Sequence, residues 1–189
     1  MADQINVLGF AGSLRQGSYN KAALRAAVEL APAGMTIETF DLAPIPLYDE
    51  DVKQQGFPPP AQALREKIRA ADALLIVTPE YNYSIPGVLK NAIDWASRPP
   101  DQPFEDKPIA IMGASPGRLG TARAQYHLRQ CFVFLNGVVL NRPEVMIGGA
   151  AQLFDDQLRL TDEATRGFVG KLLAALAAAV RRRRVSPPA

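Results

Sequence analysis

Near the amino terminus, glycines and short polar side chains follow an apolar stretch, a spacing that suits the binding of an anion. Residues 5–10 are predicted to form a buried strand and residues 12–17 a flexible loop, and a helix begins near Ser18. Unpaired backbone N–H groups and the positive end of a helix dipole converge at such a junction, so it can hold a phosphate. The side chains that can donate hydrogen bonds there are Ser13, Arg15, Ser18 and Asn20.

This first loop lacks the two common nucleotide-binding signatures. No Gly-Lys-Ser/Thr triplet follows its glycines, and the dinucleotide fingerprint G-x-G-x-x-G is absent. Because four donor side chains surround the loop, a terminal phosphate suits it better than a bridging pyrophosphate. The loop therefore favours a mononucleotide. The alternative is an ordinary strand-to-helix turn in which Ser18 only caps the helix and Arg15 is solvated.

Two further loops carry residues that suit the flat part of a nucleotide. In residues 78–86, Pro79 and Pro86 restrict the backbone, so that the loop can present fixed N–H and C=O groups to a planar heterocycle. The alternative is a turn whose two tyrosines only pack. Residues 113–120 form a glycine-rich loop with Ser115, which can close over the other side of a ring, although loops of this composition are common.

Alternating apolar and amphipathic stretches predict the elements that position these loops. The predicted strands are residues 5–10, 35–41, 73–77, 108–112 and 138–146, and the predicted helices are residues 18–31, 61–71, 87–97, 121–135 and 162–184. The central strand is apolar on both faces, which is typical of a parallel sheet covered by helices on both sides. The alternation indicates an α/β, doubly wound five-stranded parallel sheet. Ligands of such sheets bind beyond the carboxyl ends of the strands, where we expect the three loops to meet.

The sequence also predicts how two sets of apolar residues outside the loops pack. The proline-rich connection at residues 44–60 is expected to pack in its first half, through Ile45, Leu47 and Tyr48. On the helix at residues 87–97, Val88 and Trp95 lie one heptad apart, on a side other than the face that packs on the sheet. Trp95 is either buried within the fold or forms with Val88 an exposed pair that suits a dimer interface.

The composition bounds the class of protein. A chain of 189 residues suits one domain, so we expect a single domain over residues 1–189 with a basic tail at about 181–189. The single cysteine, Cys131, excludes an internal disulfide and fits a reducing compartment. The sequence shows no signal peptide, no apolar run long enough to span a membrane and no metal-ligand spacing. We therefore expect a cytoplasmic protein without a metal.

The net charge of +2 depends on four consecutive arginines at residues 181–184. Without them the chain is nearly neutral, so neither a nucleic acid nor a membrane is expected as a partner. The block ends a predicted helix, where cations interact favourably with the negative end of the dipole. A binding patch for nucleic acid or membrane is the alternative.

The combination of loops resembles the NADPH-dependent FMN reductase family, and more closely its quinone and chromate reductase branch. The motifs that carry the resemblance are Gly12-Ser13-Leu14-Arg15 with Ser18 and Asn20, the run from Pro79-Glu80-Tyr81-Asn82-Tyr83-Ser84 to Trp95, Arg123-x-x-Tyr126-His127-Leu128-Arg129-Gln130, and Pro143-Glu144. The resemblance covers about residues 5–148. It implies a flavodoxin-like fold with strand order 2-1-3-4-5, bound FMN, and dimers that can pair into tetramers.

The resemblance also implies roles for individual residues. On the FMN phosphate it places Ser13, Arg15, Ser18 and Asn20. Along the isoalloxazine it places Pro79, Glu80, Tyr81, Asn82 and Tyr83, with Ser115 approaching from the third loop. In a polar network between dimers, near the flavin, it places Tyr83, Arg123, Tyr126 and Glu144. Arg118 departs from the pattern of the branch: it either recognises an anionic acceptor or the extra phosphate of NADPH, or is a solvated loop arginine.

These observations favour a redox function, and we assign no side chain a catalytic role in it. The sequence offers no nucleophile–base pair, and a flavin carries hydride chemistry itself, at its N5 atom. We expect an FMN-dependent NAD(P)H oxidoreductase that passes two electrons, in a ping-pong cycle, from NADPH or NADH through FMN to an acceptor. The expected acceptors are quinones or similar compounds, such as chromate, azo compounds and flavins.

Two alternative functions stay open on the sequence. A flavodoxin-type electron carrier would bind FMN but need a separate reductase. Such carriers are typically acidic, whereas this chain has a sequence pI near 8.8. An NAD-binding Rossmann protein would use Asp41, at the end of the second predicted strand, on a ribose; the missing third glycine of the fingerprint argues against it.

Overall fold

The computed structural model describes residues 4–185, in which the strands form one parallel sheet. The strands are β1 Ile5–Ala11, β2 Met35–Phe40, β3 Ala73–Val77, β4 Pro108–Ala114, β5 Val138–Val139 and β6 Val145–Ile147. Their order is β2-β1-β3-β4-β5. Both β5 and β6 pair with β4: β5 pairs with its amino end and β6 with its carboxyl end. This order confirms the predicted flavodoxin-like, doubly wound topology.

Helices cover both faces of the sheet. They are α1 Tyr19–Glu29, α2 Glu50–Gln54, α3 Pro59–Ala70, α4 Gly87–Ala96, α5 Ala122–Cys131 and α6 Glu163–Val185, with a 3₁₀ turn at Ala150–Gln152. The central strand shows why two layers are needed, since Leu75 packs with α1 and α6 on one face and Leu74 with α3, α4 and α5 on the other. No helix within residues 4–185 is both long and apolar enough to cross a bilayer.

The last predicted strand is two short strands rather than one. The sequence pattern predicts residues 138–146, but the chain leaves the sheet after Val139 and returns at Val145. Pro143 lies in the interruption and has no N–H to donate to a ladder, which explains why pairing cannot continue through it.

The predicted helix at residues 121–135 ends earlier than expected, at Cys131. The chain then turns sharply to reach β5, with Asn136 at a φ of 51°. Gly137 follows at a close approach, because a Cβ there would lie 2.9 Å from Ile109 Cδ1. The early turn leaves Val133 and Phe134 exposed to solvent, which a helix through residue 135 does not predict.

The proline-rich connection after β2 contains the short helix α2, which the sequence pattern did not predict. Its first N–H groups are capped by Asp49, whose carboxylate accepts a hydrogen bond from Asp51 N at 2.9 Å. As expected, the first half of the connection packs on the body, with Ile45 buried. Leu47, by contrast, is largely exposed, so its predicted packing was wrong.

Trp95 on α4 is fully buried, because the connection lies across it. Its indole N–H donates to the carbonyl oxygen of Pro46 at 2.9 Å, and the Tyr48 ring meets the indole edge-on at a centroid distance of 4.9 Å. Of the two surroundings considered for Trp95, burial is therefore the correct one, and an exposed pair with Val88 is wrong.

Candidate active site

Three loops at the carboxyl edge of the sheet border one cleft of about 450 Å³. They follow β1, β3 and β4, which are neighbours in the sheet. The residues that line the cleft are Ser13, Arg15, Ser18, Tyr19, Asn20, Pro79, Glu80, Tyr81, Ala114, Ser115 and Pro116. The sequence-based expectation that the three loops meet at this edge is confirmed.

The first loop presents a concentrated set of hydrogen-bond donors. No residue in the described range 4–185 accepts a hydrogen bond from the backbone N–H groups of residues 13–17. Ser18 caps α1, since its hydroxyl oxygen accepts from the N–H groups of Asn20 and Lys21 at 3.2 and 3.3 Å. Its hydroxyl proton and that of buried Ser13 remain available. Free N–H groups at a helix N-terminus fit a phosphate, so the residues present suit the phosphate of FMN.

Arg15 adds charge at the mouth of this donor set. The side chain is exposed, and its guanidinium carbon lies 5.9 Å from the centroid of the Tyr19 ring. It makes no ion pair with any carboxylate of the described chain. Its donors are thus free for an anionic ligand, to which a guanidinium can bind with two parallel hydrogen bonds.

Asn20 connects the first loop to the third. Its amide oxygen accepts from Ala114 N at 2.8 Å, and its amide nitrogen donates to Ala114 O at 2.9 Å. The residue expected on the phosphate is therefore occupied mainly in fastening α1 to the end of β4. One amide proton of Asn20 remains free to reach a ligand.

Gly12 brings the first two loops into contact. A Cβ on this glycine would lie 3.1 Å from both Pro86 Cγ and Leu89 Cβ, at the start of α4. Its N–H donates to the carbonyl oxygen of Val77 at 2.9 Å, at the end of β3. A Cβ here would force Pro86 or Leu89 to shift by a few tenths of an ångström, so glycine allows the close approach of the two segments.

The second loop ends in a tight two-residue turn with a strained tyrosine. Tyr81 and Ser84 exchange two backbone hydrogen bonds of 3.0 Å. Between them, Asn82 and Tyr83 have φ values of 50° and 67°, as a type I′ turn requires. A bulky residue rarely adopts positive φ, and such strain clusters at functional sites. The Tyr83 ring is exposed, and neither Asn82 nor Tyr83, both expected along the isoalloxazine, is among the residues that line the cleft.

Glu80 joins the second loop to α5. Its carboxylate accepts from the N–H groups of Arg123 and Ala124 at 2.9 and 3.1 Å, and from the Arg123 guanidinium at 3.1 Å. Thr121, the residue in the N-cap position, makes no capping bond with its side chain. The family resemblance implies that Glu80 lies along the isoalloxazine. In the structure Glu80 lines the cleft, but its carboxylate caps a helix.

Of the four residues expected in a polar network, this chain brings two together. The Arg123 guanidinium carbon lies 3.8 Å from the centroid of the Tyr83 ring. Tyr126 is one turn farther along α5 and half exposed, and Glu144 is exposed just before β6. Within residues 4–185, no hydrogen bond or ion pair joins either of them to Tyr83 or Arg123.

His127 is a further link that the sequence analysis did not assign to the site. Its Nδ1 lies 3.0 Å from the hydroxyl oxygen of Ser84, so it fastens the far end of the second loop to α5. The sequence did contain a signal for this link. His127 lies four residues after Arg123 on the same helix, and residues at that spacing share a face.

The third loop is held rigidly by the segment that follows β6. Ser115 N donates to Ile147 O at 2.9 Å, and the Ser115 hydroxyl accepts from Gly117 N at 3.1 Å. A Cβ on Gly148 would lie 2.4 Å from the carbonyl oxygen of Arg118, so the two backbones are in close contact. The Arg118 side chain is exposed and makes no ion pair with the described residues.

The chain is similar, in sequence and in fold, to redox proteins. The family model of NADPH-dependent FMN reductases matches residues 5–152. An NAD(P)H-dependent FMN reductase of Pseudomonas aeruginosa is 62% identical over 184 residues, which are 97% of this chain and 100% of that protein. A quinone reductase of Escherichia coli is 53% identical over 154 residues, 80% of this chain and 81% of that protein.

A solved structure of a redox enzyme has a similar fold. The flavoenzyme NAD(P)H:(acceptor) oxidoreductase of Paracoccus denitrificans matches with a TM-score of 0.86 at 33% sequence identity. The match covers 94% of this chain and 98% of that one.

Proposed function

Because the chain belongs to the NADPH-dependent FMN reductase family, whose members are FMN- and NAD(P)H-dependent oxidoreductases, we propose that it reduces quinones by two electrons in a ping-pong cycle. The observation that carries the proposal is the set of free donors in residues 13–17, which border the same cleft as the second and third loops. The similarity to quinone reductases supports the choice of acceptor.

The residues proposed to hold FMN divide between its two ends. Ser13, Arg15 and Ser18 bind the phosphate, together with the backbone N–H groups of the first loop and the remaining amide proton of Asn20. Along the ring system lie Pro79, Glu80, Tyr81, Asn82 and Tyr83 from the second loop and Ser115 from the third. FMN supplies a two-electron carrier that exchanges hydride at its N5 atom.

The remaining residues shape the place where donor and acceptor bind in turn. Arg123, held by Glu80, fixes the Tyr83 ring as a wall against which a flat nicotinamide or quinone packs. Neither residue needs to act as an acid or base. Arg118, Tyr126 and Glu144 are proposed at the rim, on the acceptor side or in an interface between copies. Chromate, azo compounds and free flavins are proposed as further acceptors.

The whole chain is proposed to be one domain that forms dimers or tetramers in the cytoplasm. All strands of the described residues belong to one sheet, which supports a single domain. The lone cysteine supports a reducing compartment. The exposed Tyr126 and Glu144 are available for contacts between copies.

Anaerobic reaction of the FMN-loaded protein with NADPH or NADH tests the function. We expect either donor to bleach the flavin in a single two-electron step, and one equivalent of a benzoquinone to restore the absorbance. Steady-state double-reciprocal plots should be parallel. A flavin that stays oxidised until a separate reductase is added would instead assign an electron carrier, and intersecting plots would contradict the ping-pong order.

A further inference from the structure

The cleft contains one charged side chain of each sign, and they lie on different loops. Among its lining residues in the described chain, Glu80 carries the one carboxylate and Arg15 the one guanidinium. Arg15 belongs to the first loop, which is proposed to hold the phosphate of FMN. Glu80 belongs to the second loop, which is proposed to border the ring system. Its charge at the ring end is therefore not offset by Arg15.

The Glu80 carboxylate is held in a fixed place by its partners. Its side chain is only 12% exposed, so a partner is needed to offset the cost of burying the charge. Arg123 supplies it, since its guanidinium donates to one carboxylate oxygen at 3.1 Å. The N–H groups of Arg123 and Ala124 donate to the other oxygen at 2.9 and 3.1 Å.

The Arg123 guanidinium is held from a second side by Tyr83. The guanidinium carbon lies 3.8 Å from the centroid of the Tyr83 ring, so the cation is placed between a carboxylate and an aromatic face. Carboxylates are negative and guanidinium groups positive at neutral pH, so Glu80 and Arg123 together have no net charge. With one member largely buried, this pair is screened less by salt than a surface pair.

A charge at this place affects how readily a flavin in the cleft is reduced. The ring system gains negative charge when it accepts a hydride, and charges near it shift the equilibrium between its oxidised and reduced forms. Glu80 without its partner would oppose the reduction. Arg123 without its partner would favour it.

We propose that Glu80 and Arg123 set the midpoint potential of the bound flavin by cancelling each other's charge at the ring end of the cleft. The inference rests on the proposed function and names the residues that tune its redox step. In each cycle the same ring takes two electrons and a proton, as hydride, from NAD(P)H and passes two electrons to a quinone. A potential displaced in either direction would favour one of these half-reactions and disfavour the other.

The midpoint potential of the FMN-loaded protein tests the pair, measured against a reference dye during reduction by dithionite. Glu80→Gln leaves Arg123 unopposed and should raise the potential by about 30 mV, which is a tenfold gain in affinity for reduced over oxidised FMN. Arg123→Gln should lower it by a similar amount. In the double variant the potential should return close to that of the unchanged protein, because the two effects offset each other.

Two ion pairs that do not border the cleft provide matched controls. Glu38→Gln removes the same type of charge from a pair of 2.6 Å with Lys67. Arg159→Gln removes a guanidinium from a pair of 2.7 Å with Asp155. Neither control should move the potential.

Shifts of the same sign in the two single variants would overturn the proposal, and so would potentials equal to that of the unchanged protein. If one single variant fails to hold FMN, the sign of the shift in the other decides. Loss of FMN from both would make the pair a purely structural link and also overturn it. Because dithionite replaces NAD(P)H, a flavin that NAD(P)H fails to reduce would contradict the proposed function separately from these outcomes.

Discussion

Arg15 combines exposure, lack of an ion-pair partner within residues 4–185 and a position at the donor-rich loop, which makes it the sharpest single test of the phosphate site. We expect Arg15→Ala to lower FMN affinity by about tenfold to a hundredfold, because a hydrogen bond to a charged group contributes roughly 1.5–3 kcal/mol. Quenching of flavin fluorescence measures the affinity, with Arg142→Ala as the control. Equal affinity in both variants would remove Arg15 from the phosphate.

Glu80 has a second, structural role that the folded protein without FMN should reveal. We expect Glu80→Ala to lower the free energy of unfolding by about 1–2 kcal/mol, because it removes the cap of α5. Urea denaturation measures the loss. Glu38→Ala removes a carboxylate from an exposed pair with Lys67 and should cost well under 1 kcal/mol. Similar losses in the two variants would contradict the capping role.

At the level of single residues, the sequence pattern identifies which side chains border the cleft better than what each one does. The sequence offers a cap and a phosphate donor as alternative roles for Ser18, and its place at the start of α1 explains the cap that the structure contains. The capping of α5 by Glu80 was not predictable, because the two partners are 43 positions apart and Thr121 already occupies the local cap position. The strain at Tyr83 is likewise invisible without backbone angles.

At the level of the elements, the junction of β4 with the third loop depends on Gly113. A Cβ there would lie 2.0 Å from Thr121 Oγ1 and 2.2 Å from Thr78 O, closer than any packing allows. We expect Gly113→Ala to destabilise the fold by about 1–3 kcal/mol or more, since the overlap forces backbone shifts.

Gly117, in the same loop, provides the matched control for Gly113. The nearest atom to a Cβ there is Ser115 Oγ at 3.5 Å, an ordinary contact. Thermal unfolding of Gly117→Ala should stay close to that of the unchanged protein. A Gly113→Ala variant as stable as Gly117→Ala would show that the junction is less tightly packed than the structure indicates.

The elements with strong periodic patterns were predicted well, and those set by distant contacts were not. The predicted strand at residues 73–77 has the bounds of β3, because five fully buried apolar residues leave little ambiguity. The end of α5 was misplaced by four residues, since the close approach of Gly137 to Ile109 comes from the tertiary fold. The short helix α2 has too few residues for a hydrophobic period to appear.

At the level of the whole molecule, three hydrogen-bonded carboxylates make stability depend on acid pH. The pKa of Asp101 is held below its ordinary value of 3.8 chiefly by a hydrogen bond from Arg69. Hydrogen bonds from Arg159 and from Thr165 do the same for the pKa values of Asp155 and Asp162. A depressed folded-state pKa contributes stability above the unfolded value, and this contribution is lost as the pH falls through the folded value.

We therefore expect the unfolding midpoint in urea to be steady around neutral pH and to fall as the pH drops below about 4. Asp162→Asn should flatten part of this decline, because it removes one of the titrating groups. A midpoint that rises on acidification would contradict these pKa shifts.

The overall topology was accessible from the sequence, whereas the surfaces were not. Alternating apolar and amphipathic stretches gave the doubly wound class, and the resemblance of the loops gave the order 2-1-3-4-5, both of which the sheet confirms. Whether a side chain is exposed depends on which distant segment packs over it. Trp95 is buried because residues 44–48 lie across it, whereas Phe134 is exposed because no segment of the described chain covers it.

The central claim is that the loop of residues 13–18 binds the phosphate of FMN while the other two loops border its ring system. Comparison of FMN with riboflavin, which lacks the phosphate, tests this most directly. Calorimetric titration of the flavin-free protein should give FMN an affinity at least about a hundredfold higher, since several charge-assisted hydrogen bonds are lost with the phosphate. Equal affinities for FMN and riboflavin would contradict the claim.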